Sequence, residues 1–262
     1  MSHDLRVFFV GGYLSYRALF NWMHPTHYIP TMLGAPVFQL LFFAYVGRFA
    51  QLQDDEFFVT GNAVQLSAMA GVYGMAMTVG GERWTQTLSP LMASPANRLP
   101  LFLGRSVPLI VNGIVTSAFA FAVGWLLLDF DMPASSIPAL VVVVAVSAFA
   151  CTSLGLVVGA LGLRARDVFF LANVVVFSLL LFCGVNVPLD SLPDWMEAVG
   201  RALPLTHGIE AAREIADGAT LSDVDHLVWT ELAIGAAYAT AGYALFRLFE
   251  LEGRRRATLE TI

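Results

Sequence analysis

Residues able to do chemistry are sparse in this chain, and their spacing serves no familiar reaction. Five histidines, His3, His24, His27, His207 and His226, show no metal-ligand spacing. Cys151 and Cys183 each lie inside an apolar run, which suits packing better than a disulfide or a metal pair. No HExxH, GxSxG or CxxC occurs. There is no lysine at all, since every one of the 14 basic residues is arginine. A Walker A loop needs a lysine on the nucleotide phosphates. The chain therefore holds no ATP site of that kind, and no cofactor is expected in it. A carrier driven by protons or sodium places carboxylates or histidines in mid-membrane. Here Glu231 and Arg247 fall near the two ends of the last apolar run, where both are expected to snorkel. Any transport must take its energy from elsewhere.

The elements that would position such residues are apolar. Only 13% of the 262 residues are charged, against roughly 25% in soluble domains, so the chain reads as an integral membrane protein. A spanning helix needs about 20 apolar residues. Six runs qualify: 29–47, 63–81, 107–128, 137–163, 168–187 and 227–249. They do not alternate as barrel strands would. The expected fold is a single all-α domain over 1–262, with six transmembrane helices in 27–250 and a tail at 251–262. With six spans, eleven arginines share one side with both termini and three face the other. That asymmetry places both termini in the cytoplasm.

No signal peptide is read at the start. Residues 1–26 are instead expected to form an amphipathic helix along the inner membrane surface. Leu5, Phe8, Phe9, Gly12, Tyr16, Leu19, Phe20 and Met23 would share its apolar face. Gly155 and Gly159 form a GxxxG pair, which suits close packing within the bundle.

Two stretches interrupt the apolar pattern. The first, Gly80 to Ser106, carries Glu82, Arg83, Arg98 and Arg105. Thr85, Leu88 and Met92 could line one face of a short helix there, with Glu82 near its positive end. The second covers 182–218, where prolines punctuate two amphipathic pieces. One piece is expected over 191–202, with Ser191 as cap and Trp195, Met196, Val199 and Leu203 as its apolar face. The other is expected over 206–216.

These stretches resemble the permease family of type-2 ABC exporters. "ERWTQTLSPLMASPANR" (82–98) resembles the family's E-R-x-x-x-T-L-x-x-L-x-x-S-P loop through Glu82, Arg83, Thr87, Leu88, Leu91, Ser94 and Pro95. "GVNVPLDSLPDWM" (184–196) is similar to its G-x-x-x-P-x-x-x-L-P-x-W segment through Pro188, Leu192, Pro193 and Trp195. "LPLTHGIEAAR" (203–213) is similar to its N-P-L-T-x-x-x-E-x-x-R segment through Pro204, Leu205, Thr206, Glu210 and Arg213. Leu203 stands where asparagine is usual, and His207 where tyrosine is common.

The resemblance implies a permease subunit of an ATP-driven exporter in a bacterial inner membrane. Its partners would be a separate ABC ATP-binding subunit holding ATP and Mg, a second permease copy or a related permease, and membrane lipids, with no nucleic acid. Glu82, Arg83, Thr85, Thr87, Leu88, Leu91 and Met92 would form a coupling helix between spans two and three. Arg164, Arg166 and Asp167 would add a smaller contact. Residues 182–218 would form re-entrant helices in the outer leaflet. The path would be lined by spans one, two and five, through Phe38, Phe42, Phe43, Met69, Tyr73 and Phe177. The aromatic first span suits an amphipathic drug or lipid-like cargo, and the loop pattern is nearer the drug-resistance branch. Alternatives are a polysaccharide or lipid-linked glycan exporter, and a stand-alone channel or secondary carrier.

Overall fold

A computed structural model describes residues 3–22, 34–51, 53–80, 98–165 and 167–256. Among these residues the chain is helical, with no strand. The nine α-helices among the described residues are α1 (His3–Trp22), α2 (Ala35–Ala50), α3 (Asp55–Gly80), α4 (Arg98–Leu127), α5 (Ile137–Gly162), α6 (Val168–Phe182), α7 (Asp194–Ala202), α8 (Thr206–Ala216) and α9 (Asp225–Arg256). Four are long and apolar enough to cross a membrane: α3, α4, α5 and α9. α2 and α6 are shorter apolar helices.

α3 and α5 form the centre of the bundle. Their contact is built on small residues: a Cβ at Gly155 would lie 2.9 Å from the carbonyl oxygens of Gly71 and Val72. Hydrogen at that position lets the two backbones touch, and dispersion contacts then run the length of the pair. The GxxxG pair thus serves packing inside this chain. Gly155→Ala is expected to push α5 off α3. Overpacking of this kind costs about 1–3 kcal/mol, and thermal unfolding of the purified chain should show the loss.

α9 packs on α5 along one stripe: Leu227, Glu231, Gly235, Gly242, Phe246 and Glu250 are buried. These recur at spacings of four and seven, one and two helical turns. Phe246 meets Phe102 of α4 edge-on, with ring centroids 4.6 Å apart.

α1 is helical over His3–Trp22, and part of it packs on α4. Phe8, Gly11 and Gly12 turn to α4, where a Cβ at Gly104 would sit 2.3 Å from the Phe8 carbonyl oxygen. Leu5, Phe9 and Tyr16 of the expected apolar face are exposed. Shape decided this contact, because only a glycine surface lets helix α1 lie on α4. The side chains of Leu19, Phe20 and Met23 lie outside the described residues.

Three boundaries also differ. Residues 98–106 belong to α4 and not to the polar interruption, because Pro100 falls in the first helical turn, where no amide partner is needed. α6 stops at Phe182 and not at 187, as Gly184 takes φ +73° and turns the chain. α7 begins at Asp194, after Pro193 in an extended conformation. Ser191 is not its cap: its hydroxyl donates to the Pro188 carbonyl, closing a separate 3-10 turn over Leu189–Ser191.

Candidate functional site

The two ends of the bundle are chemically distinct. At the terminal end, Arg164 pairs with Glu252 and lies 4.7 Å from the Phe249 ring centroid. Asp167 caps α6 by accepting from the Phe170 amide at 3.0 Å. Both therefore tie the α5–α6 turn to its own chain. Glu82, Arg83, Thr85, Thr87, Leu88, Leu91, Met92 and Arg166 lie outside the described residues.

The opposite end gathers the second interruption onto the bundle. The chain leaves α6, passes a short irregular stretch at 183–188, and lays down α7 and α8 as a helix pair. α8 runs over Thr206–Ala216, as the sequence pattern sets it. Its buried face carries Thr206, Ile209, Ala212 and Ile215, and Gly218 at φ +98° ends the turn behind it. α7 is the looser member. Trp195 and Val199 are exposed, and Trp195 meets Phe182 edge-on at 6.1 Å.

Arg213 is the residue that fixes this segment. Its Nη2 donates to the carbonyls of Gly184 at 2.8 Å, Val185 at 3.3 Å and Phe57 at 3.3 Å. The guanidinium also stacks 3.6 Å from the Phe57 ring centroid. One planar cation thus satisfies the Gly184 and Val185 carbonyls, which lie outside any helix, and adds a bond to the Phe57 carbonyl of α3. Burial draws the Arg213 pKa down to about 10, still far above neutrality, so it stays charged. Glu210 does not pair with it. Its carboxylate turns to Arg201 Nη1 at 3.9 Å, and burial raises its pKa.

Beside Arg213, four carboxamides meet. Gln39 donates to Asn62 Oδ1 at 3.1 Å and Gln65 Oε1 at 3.0 Å. Asn62 donates to Asn186 Oδ1 at 2.7 Å. This uncharged network joins α2, α3 and the irregular stretch. Sequence reading missed it, although Asn62 and Gln65 stand one helical turn apart in an apolar run. Pro188 opens the 3-10 turn, and Leu192 links it to Pro193. Pro204 is buried, and its carbonyl accepts from the Cys183 thiol at 3.6 Å. Thr206 closes the corner by donating to the Gly200 carbonyl at 2.5 Å.

Glu231 does not snorkel. It is 1% exposed, and its Oε1 accepts from the Leu205 amide at 2.6 Å. Arg247 does reach outward, with Glu250 as partner at 2.6 Å.

The six aromatic and methionine positions expected to line a path take different places in this single copy. Phe38, Phe42 and Phe177 are exposed on the outer flank of α2 and α6. Phe43 and Met69 pack against the core. Tyr73 donates to Asn173 Oδ1 at 2.9 Å and sits beside Phe169. Helical phase separates them, because Phe38 and Phe42 share one face of α2 while Phe43 turns away by about 100°. A half-enclosed apolar crevice lies instead between α4 and α5, lined by Phe121, Trp125, Phe130 and Leu140 among others.

This arrangement agrees with what the chain is similar to. A family described as "ABC-2 type transporter" matches residues 12–216. "Probable multidrug ABC transporter permease YbhR" of Escherichia coli K12 is 24% identical over 198 residues, covering 74% of this chain and 53% of that protein. The chain thus spans about half the length of that relative. "Nodulation protein J" of Rhizobium leguminosarum bv. trifolii is 32% identical over 112 residues, 43% of this chain and 39% of that protein. "Daunorubicin resistance ABC transporter permease protein DrrB1" of Streptomyces coeruleorubidus is 23% identical over 239 residues, 88% and 84% of the two chains. A match across most of the helical bundle, ending where α8 ends, assigns this chain to the ABC-2 type transporter family.

Proposed function

We propose that this chain is the transmembrane permease subunit of an ATP-driven exporter. α2, α3, α4, α5, α6 and α9 act as six spans with both termini cytoplasmic. The helix pair α7–α8 is the gate on the far side. The observation that carries this reading is the seating of that pair. Arg213 and Asn186 tie irregular backbone into the bundle, which is what such backbone would need at membrane depth, where it must be buried in protein or face water.

Energy comes from a separate ATP-binding subunit docked on residues 82–92, with Arg164, Arg166 and Asp167 beside it. That subunit holds the ATP and Mg. Two permease copies, or one with a related partner, enclose the path. The cargo is an amphipathic small molecule, drug or lipid-like compound, in keeping with the names of two relatives. Few charges line the bundle, which gives poor grip on an anionic polymer.

Purified chain alone should hydrolyse no ATP, since it has no lysine for a Walker A loop. Hydrolysis and vesicle transport of a fluorescent amphipathic dye should appear only when a partner ATPase is co-assembled. Turnover by the lone chain, or dye transport without any ATPase, would remove the half-transporter reading.

A further inference from the structure

We infer that Glu231 is the positioning residue that keeps the helix pair seated, and that Leu205 is the strained joint it holds. Leu205 lies between α7 and α8 and takes φ +96°. Side chains avoid that region, and outliers of this kind persist only where the surroundings enforce them. The Leu205 side chain is fully buried, so packing calls for leucine where the backbone would favour glycine. Something else must hold the joint.

Glu231 meets that need from α9, 26 residues away in the chain. Position 205 precedes α8, and no side chain within the segment caps that helix. The Glu231 carboxylate supplies the missing cap. Its Oε1 takes the Leu205 amide at 2.6 Å, with the His207 and Gly208 amides alongside. A carboxylate at this end also meets the positive pole of α8.

The seat is only half satisfied. Glu231 Oε2, His207 Nδ1 and Ser147 Oγ are buried without a hydrogen-bond partner. Oε2 and Nδ1 stand 3.9 Å apart, and a Cβ at Gly208 would fall 1.9 Å from Ser147 Oγ. Burial, with the Arg201 charge nearby, lowers the His207 pKa, so the imidazole is neutral at pH 7 and does not ion-pair. Buried unpaired groups in one place store free energy. A strained φ, one short hydrogen bond and three unpaired atoms together describe a latch. Release of the Leu205 amide lets the joint relax and the pair swing away from α5 and α9. Glu231 would act through Leu205, without touching cargo.

This inference rests on the proposed gate, yet Cys183 reports on the latch separately. Cys183 is fully buried under Pro204, at the same corner. A bulky maleimide can reach it only when the pair lifts. The experiment measures Cys183 labelling in purified full-length chain in nanodiscs, in a Cys151→Ala background. Glu231→Asp keeps the carboxyl group but is too short to reach the Leu205 amide, and labelling should rise about tenfold or more. Glu231→Gln keeps the reach and an acceptor oxygen, and labelling should stay within about threefold of the parent. Both replacements are small and polar, and unchanged helicity by circular dichroism confirms that each is folded. In the unmodified chain, the Leu205 amide should exchange hydrogen far more slowly than the amide of Ser222, an exposed turn residue. Asp labelling like the parent, Gln labelling as fast as Asp, or equal exchange at the two amides overturns the inference. If Asp labels fast yet transports normally with its ATPase, the latch stands and the gate reading fails.

Discussion

Arg213→Leu should unseat the segment between α6 and α9 and lower the thermal midpoint of the purified chain. The carbonyls of Gly184, Val185 and Phe57 would lose a charged donor together. Hydrogen bonds to a charged group contribute about 1.5–3 kcal/mol each, and shared donors do not add fully. We expect a loss of about 3 kcal/mol, a drop of roughly 6–12 °C by the scaling for domains of this size. Arg213→Lys should fall between, since an ammonium keeps the charge but not the planar fork or the stacking on Phe57. A midpoint for Arg213→Leu equal to the parent would mean that the carbonyls find other donors. The segment would then be held by its apolar face alone.

Leu88→Asp should detach the ATP-binding subunit. Leu88 belongs to the apolar face read from the 82–98 pattern, which the proposed function buries against that subunit. Desolvating an unpaired carboxylate costs several kcal/mol, and 1.4 kcal/mol is about tenfold in an equilibrium. Assembly should weaken by roughly two decades or more. Insertion and folding should hold, because the loop lies outside the bilayer on the six-span reading. Gln53→Asp is the control: Gln53 is exposed at the opposite end of the bundle. Co-purification of the ATPase with each variant decides the matter. Leu88→Asp that retains the ATPase at the control's level would make the 82–98 loop a bland connector.

Local signals read well from the sequence. α5 runs over Ile137–Gly162 almost as its apolar run does, because Pro138 starts it and a polar turn follows. α8 begins and ends where prolines and Gly218 allow. What stayed hidden was every partner that is backbone. The 203–213 pattern includes Arg213 but does not show its targets, which are carbonyls 28 to 156 residues away. Glu231 looked like a snorkelling carboxylate for the same reason: the amide it accepts from leaves no mark on residue identity. Which face each expected path residue takes is set by helical phase, which a list of aromatics does not carry. The carboxamide cluster was overlooked because each member alone resembles ordinary helix-packing glue.

The shortness of α6 has a further consequence for the membrane around it. Its 15 residues reach about 22 Å, against roughly 30 Å of hydrocarbon. On the six-span reading, the missing depth of about 8 Å would be supplied by the irregular stretch at 183–188 and the helix pair, which carry amides and a guanidinium. On the six-span reading, that flank is a site of hydrophobic mismatch. Lipids beside it must thin to match, so the oil slab facing a cargo is narrower there than elsewhere around the bundle. If the proposed export function holds, much of the work of crossing would thereby move from the moving parts into the static shape of the protein, and acyl-chain length would become a determinant of rate.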